Sequence, residues 1–243
     1  MAAKSSSTDT DKPSRKAARK SRRKAAATEQ ASKPEKIQPF SIELKSESQK
    51  KAWAELEHNT LSFLLGSAGS GKTFLAMAYA INAVLSERCS KIVLTRPIVE
   101  SGERLGFLPG TFGDKVNPYM QPLFDAMDLL IGKYSARREI INKAVVLAPL
   151  CYMRGRTFHD AVCIFDEAQN ASYTQLKLFL SRFGDNTKVI VTGDPNQTDL
   201  PVDSPPLVEV IDKIRDLKGV AFTQFTDLDV VRHPLVAAIM KKL

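Results

Sequence analysis

The chain has 243 residues, 43% hydrophobic and 26% charged, the balance of an ordinary globular protein with room for one large domain or two small ones. Its net charge of +8 is unevenly placed: residues 1–40 carry 11 Lys/Arg against 4 Asp/Glu, leaving 24 basic and 23 acidic residues elsewhere, so the basic character belongs to a tail and not to the domain. No run of about 18 apolar residues is present to span a membrane, the basic N-terminus lacks the apolar stretch of a secretory signal, and its four acidic residues argue against a transit peptide.

Residues 1–37 contain almost nothing large and apolar and are expected to be disordered, because they cannot offset their ordering entropy by burial. Arg15, Lys16, Arg19, Lys20, Arg22, Arg23 and Lys24 form a basic cluster, read either as a solubilising tail or as a nonspecific nucleic-acid arm. Residues 38–243 are expected to form one α/β domain. Short, nearly continuous apolar runs predict strands at 61–65, 91–95, 145–149, 162–166, 188–192 and 220–225. Helical patterns fall at 72–86, about 116–132, 173–183, 207–218 and 234–242, and Gln49 lies just ahead of a further helix-like stretch. This alternation predicts a mainly parallel sheet with helices on both faces. Pro118, Pro122, Pro149, Pro201, Pro205 and Pro206 are read as marking where segments begin or end. Cys89, Cys151 and Cys163 form no zinc-ligand pattern and are expected to be buried free thiols in a reducing cytosol.

The most specific motif is Gly66-Ser67-Ala68-Gly69-Ser70-Gly71-Lys72-Thr73, which matches G-x-x-x-x-G-K-[ST] between a predicted strand and a predicted helix. Glycines let such a loop aim its N–H groups at phosphate oxygens, and the following helix adds the positive end of its dipole. Lys72 would reach the β- and γ-phosphates of a nucleotide, and the Thr73 hydroxyl would bind Mg²⁺. A second apolar strand ends in Asp166-Glu167, with Asp166 assigned to the Mg²⁺ shell and Glu167 to the base that polarises an attacking water. The pair can equally cap the next helix. A third strand ends in Thr192-Gly193-Asp194-Pro195-Asn196-Gln197, where Gln197 can contact the γ-phosphate or its water, a plain turn being the alternative for 194–196. Gln49 carries an amide that can read an adenine edge. His58, His159 and His233 are too scattered for a metal site or triad.

The order GSAGSGKT, TRPIVE, DEAQ, TGDPNQ resembles the first motor domain of superfamily 1 helicases. The stretches TRPIVESGERLGFLPGTFGDK (95–115), APLCYMRGRTFHDAVCIFDEAQN (148–170) and VIVTGDPNQTDLP (189–201), with LDVVRHPLV (228–236), are similar to the PhoH-like family of phosphate-starvation-associated ATPases. The resemblance covers about 200 residues, from Gln49 to the C-terminus. It implies a P-loop NTPase with a single RecA-like core that uses ATP and Mg²⁺. Gly66–Thr73 would be its Walker A loop and Asp166-Glu167 its Walker B pair, with Gln49 near adenine and Gln197 near the γ-phosphate. Some relatives carry a nuclease domain, whose activity is not carried over here. The short architecture looks like a stand-alone form of the kind phages also encode.

Six predicted strands leave no length for the second RecA-like domain with which a superfamily 1 helicase closes its ATP site. An arginine finger would then come from a neighbouring subunit, which predicts a homo-oligomeric ring such as a hexamer. Arg232 is the first candidate for the finger, with a surface ion pair as the alternative, and Arg154 and Arg156 stand next. Arg96, Arg104, Arg154 and Arg156 would line a channel and touch RNA or single-stranded DNA, or else brace loops through ion pairs. Tyr119, Phe107 and Phe112 are candidates for base stacking, with core or interface packing the alternative. The expected function is cytoplasmic, Mg²⁺-dependent ATP hydrolysis coupled to RNA or single-stranded DNA binding or unwinding. The alternatives are a nucleotide-controlled scaffold with slow turnover and a small-molecule kinase, for which no lid with clustered arginines is evident.

Overall fold

A computed structural model describes residues 38–98, 112–200 and 205–230, together with 235 and 239. All six predicted strands form: β1 (Leu61–Leu65), β2 (Lys91–Thr95), β3 (Val145–Leu147), β4 (Ala161–Phe165), β5 (Thr187–Gly193) and β6 (Val220–Gln224). They make one sheet in the order β3-β2-β4-β5-β1-β6 with every neighbouring pair parallel. β1 and β4 are buried along their whole length, which is why both read as nearly continuous apolar runs, broken only by the buried Ser62 of β1.

The helices are α1 (Glu47–His58), α2 (Lys72–Leu85), α3 (Phe112–Ile131), α4 (Ala136–Ala144), α5 (Tyr173–Leu180) and α6 (Pro206–Ile214). Side chains alternate across each strand. Phe63, Leu65, Cys163, Phe165, Val189 and Val191 join one cluster with Leu176 and Phe179 of α5 and with Leu207 and Val210 of α6. The Phe165 and Phe179 rings lie 4.7 Å apart. Burying each such side chain contributes about 1.5–3 kcal/mol relative to exposure. The alternate residues Leu64, Ile92, Leu94, Val162, Ile164 and Ile190 are fully or almost fully buried as well, and α2 packs on β2, β4 and β5. With α1 and α3 against it as well, α2 is buried nearly all round.

Several sequence expectations are corrected. Gln49 lies inside the first turn of α1, which Ser46 caps by accepting from Gln49 N at 3.2 Å. Pro118 and Pro122 lie inside α3, not at its end. Both are exposed, so water can take the carbonyls that they leave without an intrahelical partner. Pro206 does open α6, at its first turn. Helix α4 was not expected, because only Ile141 and Ala144 of it are buried and the apolar period is short. It is capped by Ser135 and held to α3 by Arg138 Nε donating to Asp128 at 2.7 Å. Strand β3 stops at Leu147, and α5 and α6 stop short of the expected 183 and 218. Cys89 and Cys163 are buried free thiols as expected, but Cys151 is exposed, on a turn whose buried residue is Leu150. The tail 1–37, Arg104, Phe107, Pro201, Arg232, His233 and all but residues 235 and 239 of the expected helix 234–242 lie outside the described residues, as does the Phe112 side chain.

Register places the site. Leu65 pairs with Gly193, Phe165 with Val191, and Thr95 with Phe165. The carboxyl ends of β1, β2, β4 and β5 therefore come level, and the loops that follow them meet at one edge of the sheet, where ligands of open α/β sheets bind.

Candidate nucleotide site

The loop after β1 closes around the Lys72 ammonium. Nζ donates to Gly66 O at 2.5 Å, Ser67 O at 2.8 Å and Ser70 Oγ at 3.3 Å, with Lys72 itself buried. Gly66 has φ 136°, and a Cβ there would stand 2.4 Å from Phe225 O, so this position needs glycine on two counts. Gly66 N also donates to Gly193 O at 3.1 Å, tying the loop to the end of β5. On its outer side Ser67 Oγ donates to Asp227 at 3.1 Å. Gly71, with φ 87°, is the N-cap of α2 and supplies no side chain to cap it. First-turn N–H groups of a 14-residue helix thus point into the loop, an arrangement suited to a phosphate.

Asp166 is buried against the loop. Its Oδ1 accepts from Thr73 Oγ1 at 2.7 Å and from Thr192 Oγ1 at 2.6 Å. The Thr73 hydroxyl and the Asp166 carboxylate are hard oxygen donors, and the two fit a Mg²⁺ ion that takes its remaining ligands from water and phosphate oxygens. Glu167 follows in the left-handed region at φ 55°, ψ 42°, a conformation that costs on the order of 1 kcal/mol or more for a non-glycine residue. Its side chain is partly exposed, with Oε2 accepting from Gln169 Nε2 at 2.6 Å and Oε1 lying 3.5 Å from Arg96 Nη2. Arg96 also approaches Asp166 Oδ2 at 3.8 Å and donates to Tyr119 O at 3.4 Å.

Lys72, Thr73, Arg96, Asp166, Glu167 and Thr192 line one cleft of about 550 Å³, a size suited to a small-molecule ligand. A smaller cavity of about 170 Å³ continues on the α1 side, lined by Ile42, Leu44, Gln49, Gly69, Gly71 and Phe74 among others. Phe74 borders both. Gln49 Oε1 accepts from Lys45 N at 2.7 Å, and its Nε2 faces Gly71 so closely that a Cβ there would lie 3.3 Å away. Asp229 steadies this side. Burial alone would raise its pKa, but hydrogen bonds from Ser46, Ser48 and Thr226 outweigh that and hold it below the usual carboxylate value.

Of the expected site residues, the structure brings Gln49, Gly66–Thr73, Asp166 and Glu167 to one edge. Gln197 is exposed in the loop after β5, its N–H on Asp194 O at 3.1 Å, while the cleft wall from β5 consists of Thr192 and Gly193. Arg96 faces the two carboxylates, which is the bracing alternative of its sequence reading. Arg154 and Arg156 are exposed, the latter 5.0 Å over the Phe158 ring. His58 bonds to Ala54 O one turn back and His159 Nδ1 accepts from Asp185 N, and among the described residues no group of His, Cys, Asp or Glu clusters as metal ligands. Sequence reasoning gave no part to Gln169, whose buried amide lies between Glu167 and Asp194. No periodicity marks it, and its position in the string DEAQ was the available signal.

Residues 41–243 match the family model described as PhoH-like protein. The chain is 44% identical over 202 residues to the PhoH-like protein of Bacillus subtilis, covering 83% of this chain and 63% of that protein. It is 44% identical over 200 residues to the PhoH-like protein of Mycobacterium tuberculosis, covering 82% and 57% respectively. It therefore spans a little over half the length of these relatives. Among solved structures, the large terminase of a thermophilic bacteriophage superposes with a TM-score of 0.54 at 14% identity, over 81% of this chain and 50% of that one, a likeness of fold. The α/β P-loop architecture read from the sequence is thus the one observed. No helix among the described residues is long and apolar enough to cross a membrane.

Proposed function

We propose, from the premise that this chain belongs to the PhoH-like protein family, that it binds ATP with Mg²⁺ and hydrolyses it in the cleft between the Gly66–Thr73 loop and Asp166-Glu167. One observation carries the reading: the Thr73 hydroxyl and the Asp166 carboxylate meet at 2.7 Å beside a lysine encircled by a glycine loop. Lys72 trades its loop carbonyls for β- and γ-phosphate oxygens, and the α2 N–H groups hold the same phosphates. Thr73 and Asp166 would hold Mg²⁺, which would supply positive charge to the phosphates when bound. Glu167 takes a proton from the attacking water. The water oxygen bonds to the γ-phosphorus, the bond to the bridging oxygen breaks, and ADP leaves with that electron pair. Gln49 reads the adenine edge from the smaller cavity, and Gln197 approaches the γ-phosphate as its loop closes.

We extend this to a cytoplasmic homo-oligomeric ring in which a neighbour's arginine, Arg232 first, completes the site, since such a finger supplies roughly 10³–10⁵ in rate. RNA or single-stranded DNA is the proposed partner, contacted by Arg154, Arg156 and the basic tail. The test is ATP turnover by the wild-type chain beside Lys72→Ala and Glu167→Gln, with and without single-stranded nucleic acid, and the mass in solution with and without ATP. Turnover lost in both variants is expected. Unchanged turnover in Lys72→Ala sinks the site assignment, a monomer under all conditions sinks the ring, and no response to nucleic acid sinks the coupling.

A further inference from the structure

Both ends of the Gln169 amide are engaged, and the residue is buried. Nε2 donates to Glu167 Oε2 at 2.6 Å, while Oε1 accepts from Asp194 N at 3.0 Å. A backbone N–H can only donate, so Asp194 dictates which end of the amide faces it. The NH₂ end is thereby turned towards Glu167. The fit is close: a Cβ on Gly193 would lie 2.9 Å from Gln169 Oε1, so the amide reaches the β5 loop because residue 193 has no side chain. The two turns are joined elsewhere too. Thr198 Oγ1 donates to Gln169 O at 3.0 Å, and Asn170 and Asp199 exchange hydrogen bonds at 2.8 and 2.9 Å. The turn bearing Glu167 and the loop bearing Gln197 are stitched into one unit, and the Gln169 amide is where that unit grips the Glu167 carboxylate.

We propose that Gln169 is a positioning residue that aims the Glu167 carboxylate at the attacking water and makes that aim depend on the 194–199 loop. This rests on the ATPase reading above. A loop drawn towards a γ-phosphate carries Asp194 N, then the amide, then the carboxylate, so water activation follows nucleotide state without any direct bond from the loop to Glu167.

The test uses the full chain. Gln169→Met keeps the length and removes both hydrogen bonds. Gln169→Glu keeps the shape but sets a carboxylate against Glu167. Each is expected to lower kcat for ATP by about 10–100-fold, part of what a positioned base supplies, with KM within about twofold, while the denaturation midpoint falls but the fold is kept. Against a Glu167→Gln background, Gln169→Met should change the residual rate by less than about twofold. Wild-type kcat in either folded variant, or KM rising in step with a falling kcat, overturns the positioning role. Should Gln169→Met fail to fold, Gln169→Glu decides alone. Active wild type with inactive Lys72→Ala keeps the ATPase reading even when the Gln169 variants behave as wild type. A wild type that hydrolyses no ATP overturns both.

Discussion

Thr73 Oγ1 donates to Asp166 Oδ1 at 2.7 Å across 93 residues of sequence. The contact exists because β5 lies between β1 and β4 in the sheet and all three run the same way. The residue after β4 therefore comes level with the loop after β1. Thr192, on β5 between them, donates to the same carboxylate oxygen.

Replacing Lys72 by alanine removes the ammonium and leaves the Gly66 and Ser67 carbonyls to water. Hydrogen bonds to a charged group contribute about 1.5–3 kcal/mol, so nucleotide affinity should fall roughly 10- to 100-fold, with turnover falling further. Titration with a fluorescent ATP analogue checks the first and phosphate release the second.

Gly66→Ala should destabilise the fold by about 2–3 kcal/mol, because it adds a contact 2.4 Å from Phe225 O at a φ of 136°. The denaturation midpoint reports it. A midpoint indistinguishable from wild type would mean that the connection after strand β6 yields easily.

Asp229 links stability to pH. Its folded pKa is lowered, burial being outweighed by the hydroxyl and amide donors around it. A group of that kind adds stability above the ordinary aspartate value of about 3.9 and loses it as pH falls through the folded value. Asp229→Asn should therefore lower stability at neutral pH, with the gap from wild type narrowing as pH falls below the ordinary aspartate value. Denaturant melts across that range decide it. Equal destabilisation at both ends would show a packing effect instead.

The three thiols should react at very different rates. Burial pushes Cys163 up to about 12 and raises Cys89, whereas Cys151 is exposed. Thiolate is the nucleophile, so an aromatic disulfide reagent at about pH 8 should label one thiol quickly and the other two on unfolding. Cys151→Ser should remove the fast phase.

The central strands β1 and β4 were legible because a strand buried on both faces must be almost wholly apolar, and only Ser62 interrupts them. Helix α4 was not, because its packing depends on Ile141, Ala144 and the Arg138–Asp128 pair with α3. Pro118 and Pro122 misled because local rules treat proline as a boundary, whereas exposure at those turns lets a helix continue.

The amino-acid sequence alone determined the loop chemistry at Gly66–Thr73, since backbone freedom, the lysine and the hydroxyl are adjacent along the chain. It also determined that carboxylates end a buried strand at Asp166-Glu167. What only the tertiary structure decided is which distant groups those residues meet: Thr192 on Asp166, Arg96 beside both carboxylates, and the Gln169 amide between Glu167 and Asp194. The physical reason is range. Local conformation follows from neighbours in sequence, while these hydrogen bonds follow from strand order and register, which the whole sheet settles together.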